Sequence, residues 1–440
     1  MIPLDLVHES MERLGIPGAA VGVVHGAVEE IAGFGVTSLE NPLPVDGDTL
    51  FQIGSITKTF TAAAGMRLVE DGRLALDAPV RRYLPDLRLA DEGVAREVTM
   101  RHLLSHTGGW VGDFFPAAEP GDDALTRAVA GLEGVEQLTP LGTVWSYNNA
   151  GFYVAGRVIE IVTGRPFESA LRELVLGPLG LERSFLFPAD VLTYRFAVGH
   201  DRAGNVSRSW YLGRASAALG GLVSSVRELL RYARSLWAPR GFLSGDSLDE
   251  MRRPHAGTGR SMGDAVGLGW YLIERDGHRF VVHGGSTSGQ QARLLVGPED
   301  RLAVAVLTNH DDGGALAAAL EQEVLRTTLG LEPEPDVHLE LSSQELAAYA
   351  GRYDSPLWET TLRVVDGALV LESTPKPGFP TPDAPARPGP PPSRLAFTDR
   401  DHVVALDPPL AGSRGDFLRT TGGRLEWFRW HGRLHRPLGP

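Results

Sequence analysis

The spacing of apolar and polar residues changes several times along this chain of 440 residues, and each change predicts a different element. Residues 1–15 have a helical period, and residues 19–24 and 28–35 alternate as two strands joined by a short turn. The helical period then dominates from 100 to 237, with glycine and proline between the runs. Strand patterns return at 267–273, 279–283, 290–296 and 302–307, and a last helical run covers 315–329.

Strands at both ends of this region, with helices between them, predict an α+β unit in which distant segments close one antiparallel sheet. After a proline-containing stretch at 330–335 the pattern becomes short alternating strands separated by turn residues. We therefore predict two domains, residues 1–332 and a small antiparallel β-barrel at 333–440 that folds separately. Nine prolines between 374 and 394 indicate a long connection without chemistry of its own.

Composition excludes several classes of function. A formal net charge of −13 argues against a nucleic-acid partner, which would require a basic surface. The chain has no cysteine and no His-Glu-x-x-His, so we predict no metal and no cofactor. No apolar run reaches membrane-spanning length, and acidic residues within the first 15 positions are unlike a secretory signal. We expect a cytoplasmic protein, unless a signal peptide has been removed.

Two of the 42 basic residues are lysines, and one of them, Lys58, lies three positions after Ser55. Arginine keeps its proton in a protein, whereas a buried lysine can give its proton up. The apolar spacing predicts that Ser55 opens a helix ending near Gly72, so the hydroxyl and the amine share one face. Ser-x-x-Lys is then a candidate nucleophile with its own base, although such a pattern in isolation is more often a helix cap beside a solvated lysine.

Two further motifs follow in the sequence. Tyr147-Asn148-Asn149 precedes an apolar helical run, and His283-Gly284-Gly285-Ser286 ends a short strand pattern. Each motif alone is weak, because tyrosine and asparagine are common in loops and glycines after a strand usually form a turn. The three motifs together, in this order, are much harder to attribute to chance.

With these motifs the chain resembles the serine β-lactamase and penicillin-binding protein superfamily, specifically the class C β-lactamase-related esterases, DD-peptidases and D-aminopeptidases. The similarity covers residues 16–329. Family-like phrases include Leu103-Leu104-Ser105-His106-Thr107-Gly108-Gly109 and Ala218-Leu219-Gly220-Gly221-Leu222. The resemblance implies a β-lactamase-like fold followed by a lipocalin-like barrel.

The resemblance also implies an acyl-enzyme hydrolase with Ser55 as nucleophile and with Lys58 and Tyr147 as proton-handling partners. Asn149 would bind a substrate amide, and the backbone N–H groups of Ser55 and Ser286 would hold the oxyanion beside Gly285. The sequence leaves open whether Lys58 or Tyr147 is the general base.

His283 stands where the family carries a strand lysine, and this departure affects the predicted substrate. An imidazole with an ordinary pKa near ~6.5 is mostly neutral at pH 7, so anionic β-lactams should bind poorly except at lower pH. We therefore predict hydrolysis of carboxylic esters or of small amides and peptides, including those with a D-residue. The alternatives are a β-lactamase or DD-peptidase, and a non-catalytic acyl-binding sensor. The expected partner is a small-molecule substrate, and assembly of several copies stays open.

Overall fold

Eight antiparallel strands form the central sheet of the first unit. Within this sheet a strand from the beginning of the unit pairs with a strand from its end. The computed structural model describes residues 1–117, 120–208, 210, 212–238, 242–333, 337–379, 382–386 and 388–438. The sheet strands are β1 (Gly18–His25), β2 (Val28–Gly35), β5 (Ala256–Gly257), β6 (Ala265–Val266), β7 (Tyr271–Arg275), β8 (His278–Thr287), β9 (Gln290–Gly297) and β10 (Leu302–Thr308), and β3 (Phe51–Gln52) pairs separately with β4 (Val223–Ser224).

The order of the sheet is β2-β1-β10-β9-β8-β7-β6-β5. The first strand of the chain pairs with the last strand of the unit, in the register Ala19 opposite Thr308 and His25 opposite Leu302. The prediction that distant segments close one antiparallel sheet is therefore confirmed. This closure brings the end of β8, with the His283 motif, to the N-terminal end of the Ser55 helix.

One predicted strand is partly wrong. Residues 267–270 form a turn, with Gly269 at φ 75°, and β7 begins only at Tyr271. This turn packs on helical residues instead of pairing in the sheet. The N–H of Gly269 donates to the carbonyl of Leu104, and a Cβ on Gly269 would lie 2.7 Å from Ala62 Cβ. The Trp270 ring stacks with Tyr232. A run of buried apolar residues looks the same in a strand and in a packed turn.

The helices of the described residues are α1 (Leu4–Leu14), α2 (Thr57–Glu70), α3 (Glu92–Glu97), α4 (Met100–Leu104), α5 (Ala124–Ala130), α6 (Ala150–Thr163), α7 (Phe167–Leu171), α8 (Pro188–Val191), α9 (Val226–Ser235), α10 (Gly245–Arg252), α11 (Gly313–Leu329) and α12 (Ser343–Ala347). Of these, α1 and α11 cover one face of the central sheet and α9 covers the other, while α12 packs on the barrel. The strand β1 is buried along nearly its whole length because both of its faces are covered. Val21 and Val23 pack with Val7 and Leu320 on one side, and Val24 packs with Leu230 on the other. Within the described ranges, no helix has the length and apolar character needed to cross a bilayer.

The helix predicted to open at Ser55 is present. A 3₁₀ turn, Gly54–Ile56, leads directly into α2, and Gly72 follows its last turn at φ 68°. Small side chains dominate α2, and nearly all of them are buried, because other elements surround it. The helix therefore fixes its first turn, which carries Lys58, inside the protein.

The second unit is a closed barrel of eight antiparallel strands in sequence order, which confirms the predicted small antiparallel β-barrel. Its strands are β11 (Gly351–Asp354), β12 (Trp358–Val365), β13 (Ala368–Pro375), β14 (Ser393–Phe397), β15 (His402–Ala405), β16 (Arg414–Arg419), β17 (Leu425–Trp430) and β18 (Arg433–Leu438). Aromatic side chains fill the interior, with Phe417 stacked on Phe428 at 4.7 Å and Tyr349 packed against Phe397.

The predicted boundary at 333–335 lies partly outside the described residues, as do Pro380, Thr381 and Arg387 of the proline-rich segment. The barrel is held against the first unit by Arg429, which pairs with Asp416 through two hydrogen bonds of 2.7 and 2.8 Å. The same guanidinium donates to the carbonyl of Trp145 at 2.9 Å. The two side chains of the pair are each only 5% exposed, so this contact is a buried junction between the units.

This junction makes a testable prediction about stability. Arg429→Met removes one partner of a buried ion pair and leaves the Asp416 carboxylate uncompensated, which typically costs about 3–5 kcal/mol. We expect the midpoint of urea unfolding, measured by tryptophan fluorescence, to fall clearly.

The matched control is Arg436→Met. Arg436 pairs with Glu136 across the same two units at 2.7 Å, but these side chains are 49% and 56% exposed. An exposed pair contributes about 0–1 kcal/mol, so this variant should unfold near the wild-type midpoint. Equal losses in the two variants would contradict the buried junction.

Candidate active site

Ser55 lies in the 3₁₀ turn at the start of α2, directly opposite the end of β8. Its side chain is partly exposed, while Gly54 and Ile56 on either side are buried. Only the hydroxyl of this turn is therefore presented to a substrate. The predicted nucleophile occupies the junction that closure of the sheet creates.

Lys58 is completely buried one turn further along α2. Its amine donates to Ser55 Oγ at 3.1 Å and to the carbonyl oxygen of Leu219 at 2.6 Å. Burial lowers the pKa of Lys58 well below its usual range, and the nearby positive charge of Arg433 lowers it further. Since a lower pKa favours the uncharged amine, Lys58 is suited to accept a proton at neutral pH.

Tyr147 packs on the other side of this pair. The Lys58 amine lies 5.0 Å from the centre of the Tyr147 ring, and the Tyr147 hydroxyl interacts with the Ser55 hydroxyl. Burial raises the pKa of Tyr147 to about 12. The effect of burial is larger than the lowering of the pKa by Arg433 and by the hydrogen bond with Ser55. The phenol therefore stays protonated at neutral pH.

Asn149 joins a polar chain that begins in the barrel. Its side-chain amide donates to Asp113 Oδ1 at 2.9 Å. Arg433, at the start of β18, donates to both carboxylate oxygens of Asp113, at 3.0 and 3.3 Å. The guanidinium also lies 4.6 Å from the centre of the Tyr147 ring. The Asp113 carboxylate, which Arg433 of the barrel holds, thus orients Asn149, the residue predicted to bind a substrate amide.

The backbone of Tyr147 is fixed from two directions. Its N–H donates at 2.7 Å to the carbonyl oxygen of Gly432, in the turn between β17 and β18. His106 Nδ1 accepts the N–H of Asn148 at 2.9 Å, and the imidazole packs on the Tyr147 ring at 4.7 Å. His106 is therefore a structural hydrogen-bonding residue, and the barrel turn contributes to the geometry of the site.

Gly285 and Ser286 lie where β8 passes the Ser55 turn. A Cβ on Gly285 would lie 1.9 Å from the carbonyl oxygen of Ile53 and 3.1 Å from the Ser55 nitrogen, so only glycine fits here. A Cβ on Gly54 would likewise lie 2.7 Å from the Ser286 nitrogen. The backbone N–H groups of Ser55 and Ser286 are therefore brought to the same junction, as an oxyanion site requires.

His283 is buried, and only 1% of its surface is exposed. It lies between Tyr147 and Tyr271, with ring centres 6.5 and 5.0 Å away, and its Nδ1 is 2.6 Å from the carbonyl oxygen of Gly284. Nδ1 must be the protonated nitrogen, since a carbonyl oxygen can only accept a hydrogen bond. Burial, followed by the nearby Lys58 charge, lowers the pKa of His283 to about 3. The expectation that His283 becomes charged in mild acid is therefore wrong.

Ser261 is a second serine in a sequence pattern of hydrolases. It lies in Gly259-Arg260-Ser261-Met262-Gly263, which matches the Gly-x-Ser-x-Gly pattern of α/β-hydrolases. That chemistry needs a sharp turn from a strand into a helix. Ser261 instead lies in a turn between β5 and β6, and its hydroxyl donates to the carbonyl of Thr258 at 2.7 Å. It has neither the required turn nor a neighbouring base.

Sequence reasoning missed Asp113, Arg433 and the carbonyl of Leu219. No local motif surrounds Asp113 or Arg433, and Leu219 contributes only backbone. Among the described residues, no group of three or more histidine, aspartate or glutamate side chains could hold a metal ion.

The barrel turn makes a prediction about this site. A Cβ on Gly432 would lie 2.7 Å from Trp145 Cη2, so Gly432→Ala should push the turn away from the Tyr147 N–H. We expect the rate of fluorophosphonate labelling at Ser55 to fall about tenfold or more, as hydrogen-bonded groups lose their alignment.

Gly423→Ala is the matched control, since Gly423 lies in the preceding barrel turn at φ 79° against 74° for Gly432. The backbone strain is therefore similar, but nothing lies within 4 Å of a Cβ on Gly423. This variant should label at the wild-type rate, and equal effects would attribute the loss to general destabilisation.

Comparison with known proteins agrees with this geometry. The beta-lactamase family model matches residues 5–328. Penicillin-binding protein 4 of Amycolatopsis lactamdurans is 36% identical over 332 residues, which are 72% of this chain and 85% of that protein. Esterase EstB of Burkholderia gladioli is 33% identical over 308 residues, 61% of this chain and 77% of the esterase. The crystal structure of SurE with D-Leu covers 99% of this chain and 98% of its own, with 26% identity and a TM-score of 0.75. The chain belongs to the beta-lactamase family and is a serine hydrolase.

Proposed function

We propose that Ser55 attacks the carbonyl carbon of an ester or amide and forms an acyl-enzyme that water then hydrolyses. The observation that carries this proposal is the 3.1 Å hydrogen bond between Ser55 Oγ and the buried amine of Lys58. In the first step a bond forms between Oγ and the carbonyl carbon while the serine proton passes to Lys58. The bond from the carbonyl carbon to the leaving oxygen or nitrogen then breaks, the leaving group takes a proton from Tyr147, and the proton held by Lys58 restores the phenol. Water then attacks the acyl-enzyme, gives its proton to Lys58, and releases the acid and the free Ser55 hydroxyl.

Lys58 is the general base in this mechanism, and Tyr147 is a proton donor. The directions of the two pKa shifts support the division, because burial favours the neutral amine of Lys58 and the neutral phenol of Tyr147. A neutral phenol beside Ser55 can donate a hydrogen bond to the departing alcohol or amine. The backbone N–H groups of Ser55 and Ser286 stabilise the oxyanion, and Asn149, held by Asp113, binds the amide of the acyl group.

The proposed substrate is a neutral ester, amide or peptide whose acylating residue has the D-configuration. SurE has been crystallised with D-Leu, and EstB is an esterase, so related sites handle both kinds of compound. The charges support a neutral substrate as well, since His283 is uncharged and the Arg433 guanidinium is already paired with Asp113.

A β-lactamase or DD-peptidase is the second candidate. The 36% identity to penicillin-binding protein 4 favours it, as does the order of the three motifs. Against it, the strand position that usually carries a lysine is occupied by a buried neutral imidazole. The cytoplasmic location stays a prediction from the sequence alone, and the assembly state stays open.

The role of Lys58 is tested by Lys58→Arg, which keeps N–H donors at this position but cannot act as a base, because arginine stays protonated in a protein. We expect folded protein whose fluorophosphonate labelling is slowed about a hundredfold or more, the usual contribution of a general base. In the unmodified protein the labelling rate should rise with pH through the lowered pKa of Lys58, because only the deprotonated amine is a base.

Ser55→Ala is the control for the labelled position and should abolish labelling. Near-wild-type turnover by Lys58→Arg would exclude proton transfer by Lys58. Labelling that persists in Ser55→Ala and maps to another serine would exclude Ser55 as the nucleophile.

The substrate class is tested by kcat/KM for nitrocefin, a β-lactam, and for a p-nitrophenyl ester. We expect the ester to exceed nitrocefin clearly, with a ratio that is constant between about pH 5 and 8, because His283, with a pKa of about 3, does not become charged there. His283→Lys should raise nitrocefin turnover relative to the ester. Efficient nitrocefin hydrolysis by the unmodified protein that this lysine does not improve would favour the second candidate.

A further inference from the structure

Residues 218–222 form a short segment that lies along the first two turns of α2 and presents a carbonyl to Lys58. The carbonyl oxygen of Leu219 accepts the Lys58 amine at 2.6 Å. The segment is buried apart from Gly221, which is half-buried. It also lies next to the Ser55 turn, since a Cβ on Gly220 would be 3.8 Å from the carbonyl carbon of Gly54. The segment therefore packs directly against the nucleophile and its base.

Two threonines of α2 hold this segment, one on each side of Lys58 in the sequence. Thr57 Oγ1 accepts the N–H of Leu222 at 3.1 Å, and Thr61 Oγ1 donates to the carbonyl oxygen of Ala218 at 2.7 Å. The carbonyl of Thr57, at 3.3 Å, is the more distant acceptor for the Thr61 hydroxyl. Both threonines are completely buried, and their spacing places them on one face of the helix. The Thr61 bond therefore fixes the peptide group next to the carbonyl that Lys58 uses.

The direction of the Leu219 carbonyl matters because Lys58 must act as a neutral amine. A neutral amine has two N–H donors and one lone pair, and the lone pair must face the Ser55 hydroxyl to take its proton. A carbonyl oxygen can only accept, so Leu219 binds an N–H of the amine and leaves the lone pair for another direction. The same carbonyl stabilises the ammonium that forms when the serine proton arrives. Leu219 therefore contributes to both protonation states of the base.

We propose that Thr61 is a positioning residue that aims the Leu219 carbonyl at Lys58. Its hydroxyl fixes the Ala218 peptide group, and through it the direction of the next carbonyl along the chain. Since Leu219 contributes only backbone, Thr61 is the side chain through which this arrangement can be tested. The inference rests on the proposed function, because it assumes that Lys58 takes the serine proton.

The test follows fluorophosphonate labelling of the full-length protein against pH in Thr61→Val, which removes the hydroxyl and keeps the branched shape. The buried Ala218 carbonyl loses this donor, and the segment rotates to relieve the loss. We expect labelling at high pH to slow about tenfold or more, as hydrogen-bonded groups lose their alignment. An acceptor favours the charged amine, so its loss lowers the pKa of Lys58 further. The midpoint of the rise in rate should therefore move down by roughly one pH unit.

The midpoint is informative because the other charged and titratable groups near Lys58 are retained in this variant. They are Arg433, Asp113, Tyr147, His106 and His283. Thr61→Ala removes the same hydroxyl with a smaller side chain and must show the same shift, which keeps the test decisive if Thr61→Val does not fold. Thr61→Ser retains the hydroxyl and should restore the wild-type midpoint.

Thr59→Val is the matched control. Thr59 is as buried as Thr61 and lies on the same helix, but its hydroxyl donates at 2.8 Å to the carbonyl of Ile56, which precedes the helix. This variant should keep the wild-type midpoint. A slower rate at an unchanged midpoint in Thr61→Val, or an equal shift in Thr59→Val, would overturn the positioning role. Failure of the proposed function is distinguishable, since Lys58→Arg would then label at the wild-type rate.

Discussion

The burial of one amine is the constraint on which the rest of this structure depends. Lys58 can serve as a base only if it is held away from water, and removing an amine from water is costly unless its donors are paired. The protein meets this condition with Ser55 Oγ and the Leu219 carbonyl as acceptors. The buried helix α2 and the turn at Gly269 that packs on it keep the amine enclosed. Closure of the sheet by β1 and β10 then carries β8 past Ser55.

The second unit also contributes contacts to the candidate site. Tyr147 is the third residue of the candidate catalytic group, and its backbone N–H needs an acceptor because the residue is buried. The barrel supplies one through the Gly432 carbonyl, while Arg429 holds the carbonyl of Trp145 two residues earlier. Arg433 adds a positive charge that lowers the pKa of Lys58. The barrel thus contributes to the geometry of the candidate site, even though its strands close on themselves.

The sequence could predict features that depend on local spacing. Periodicity and rare residues predict Ser55 and Lys58 on one helical face, the antiparallel sheet and a small C-terminal β-barrel. Arg433 could not be found in this way, because nothing local distinguishes it from the other arginines of the chain. Its importance comes from a contact with Asp113 across 320 positions. The turn at 267–270 was misread for a related reason, since burial by distant elements hides the difference between a strand and a turn.

The position of positive charge distinguishes this site from the β-lactamase pattern that the motifs resemble. In that pattern the strand carries a lysine, whereas here the strand supplies the neutral His283. The cation near Tyr147 is instead Arg433, which approaches the face of the ring from the barrel. A strand lysine can pair with a substrate carboxylate, but Arg433 is already paired with Asp113 and oriented through it toward Asn149. The positive charge of Arg433 therefore still lowers the pKa of Lys58. Its pairing with Asp113 supports our proposal that the substrate is a neutral acyl donor.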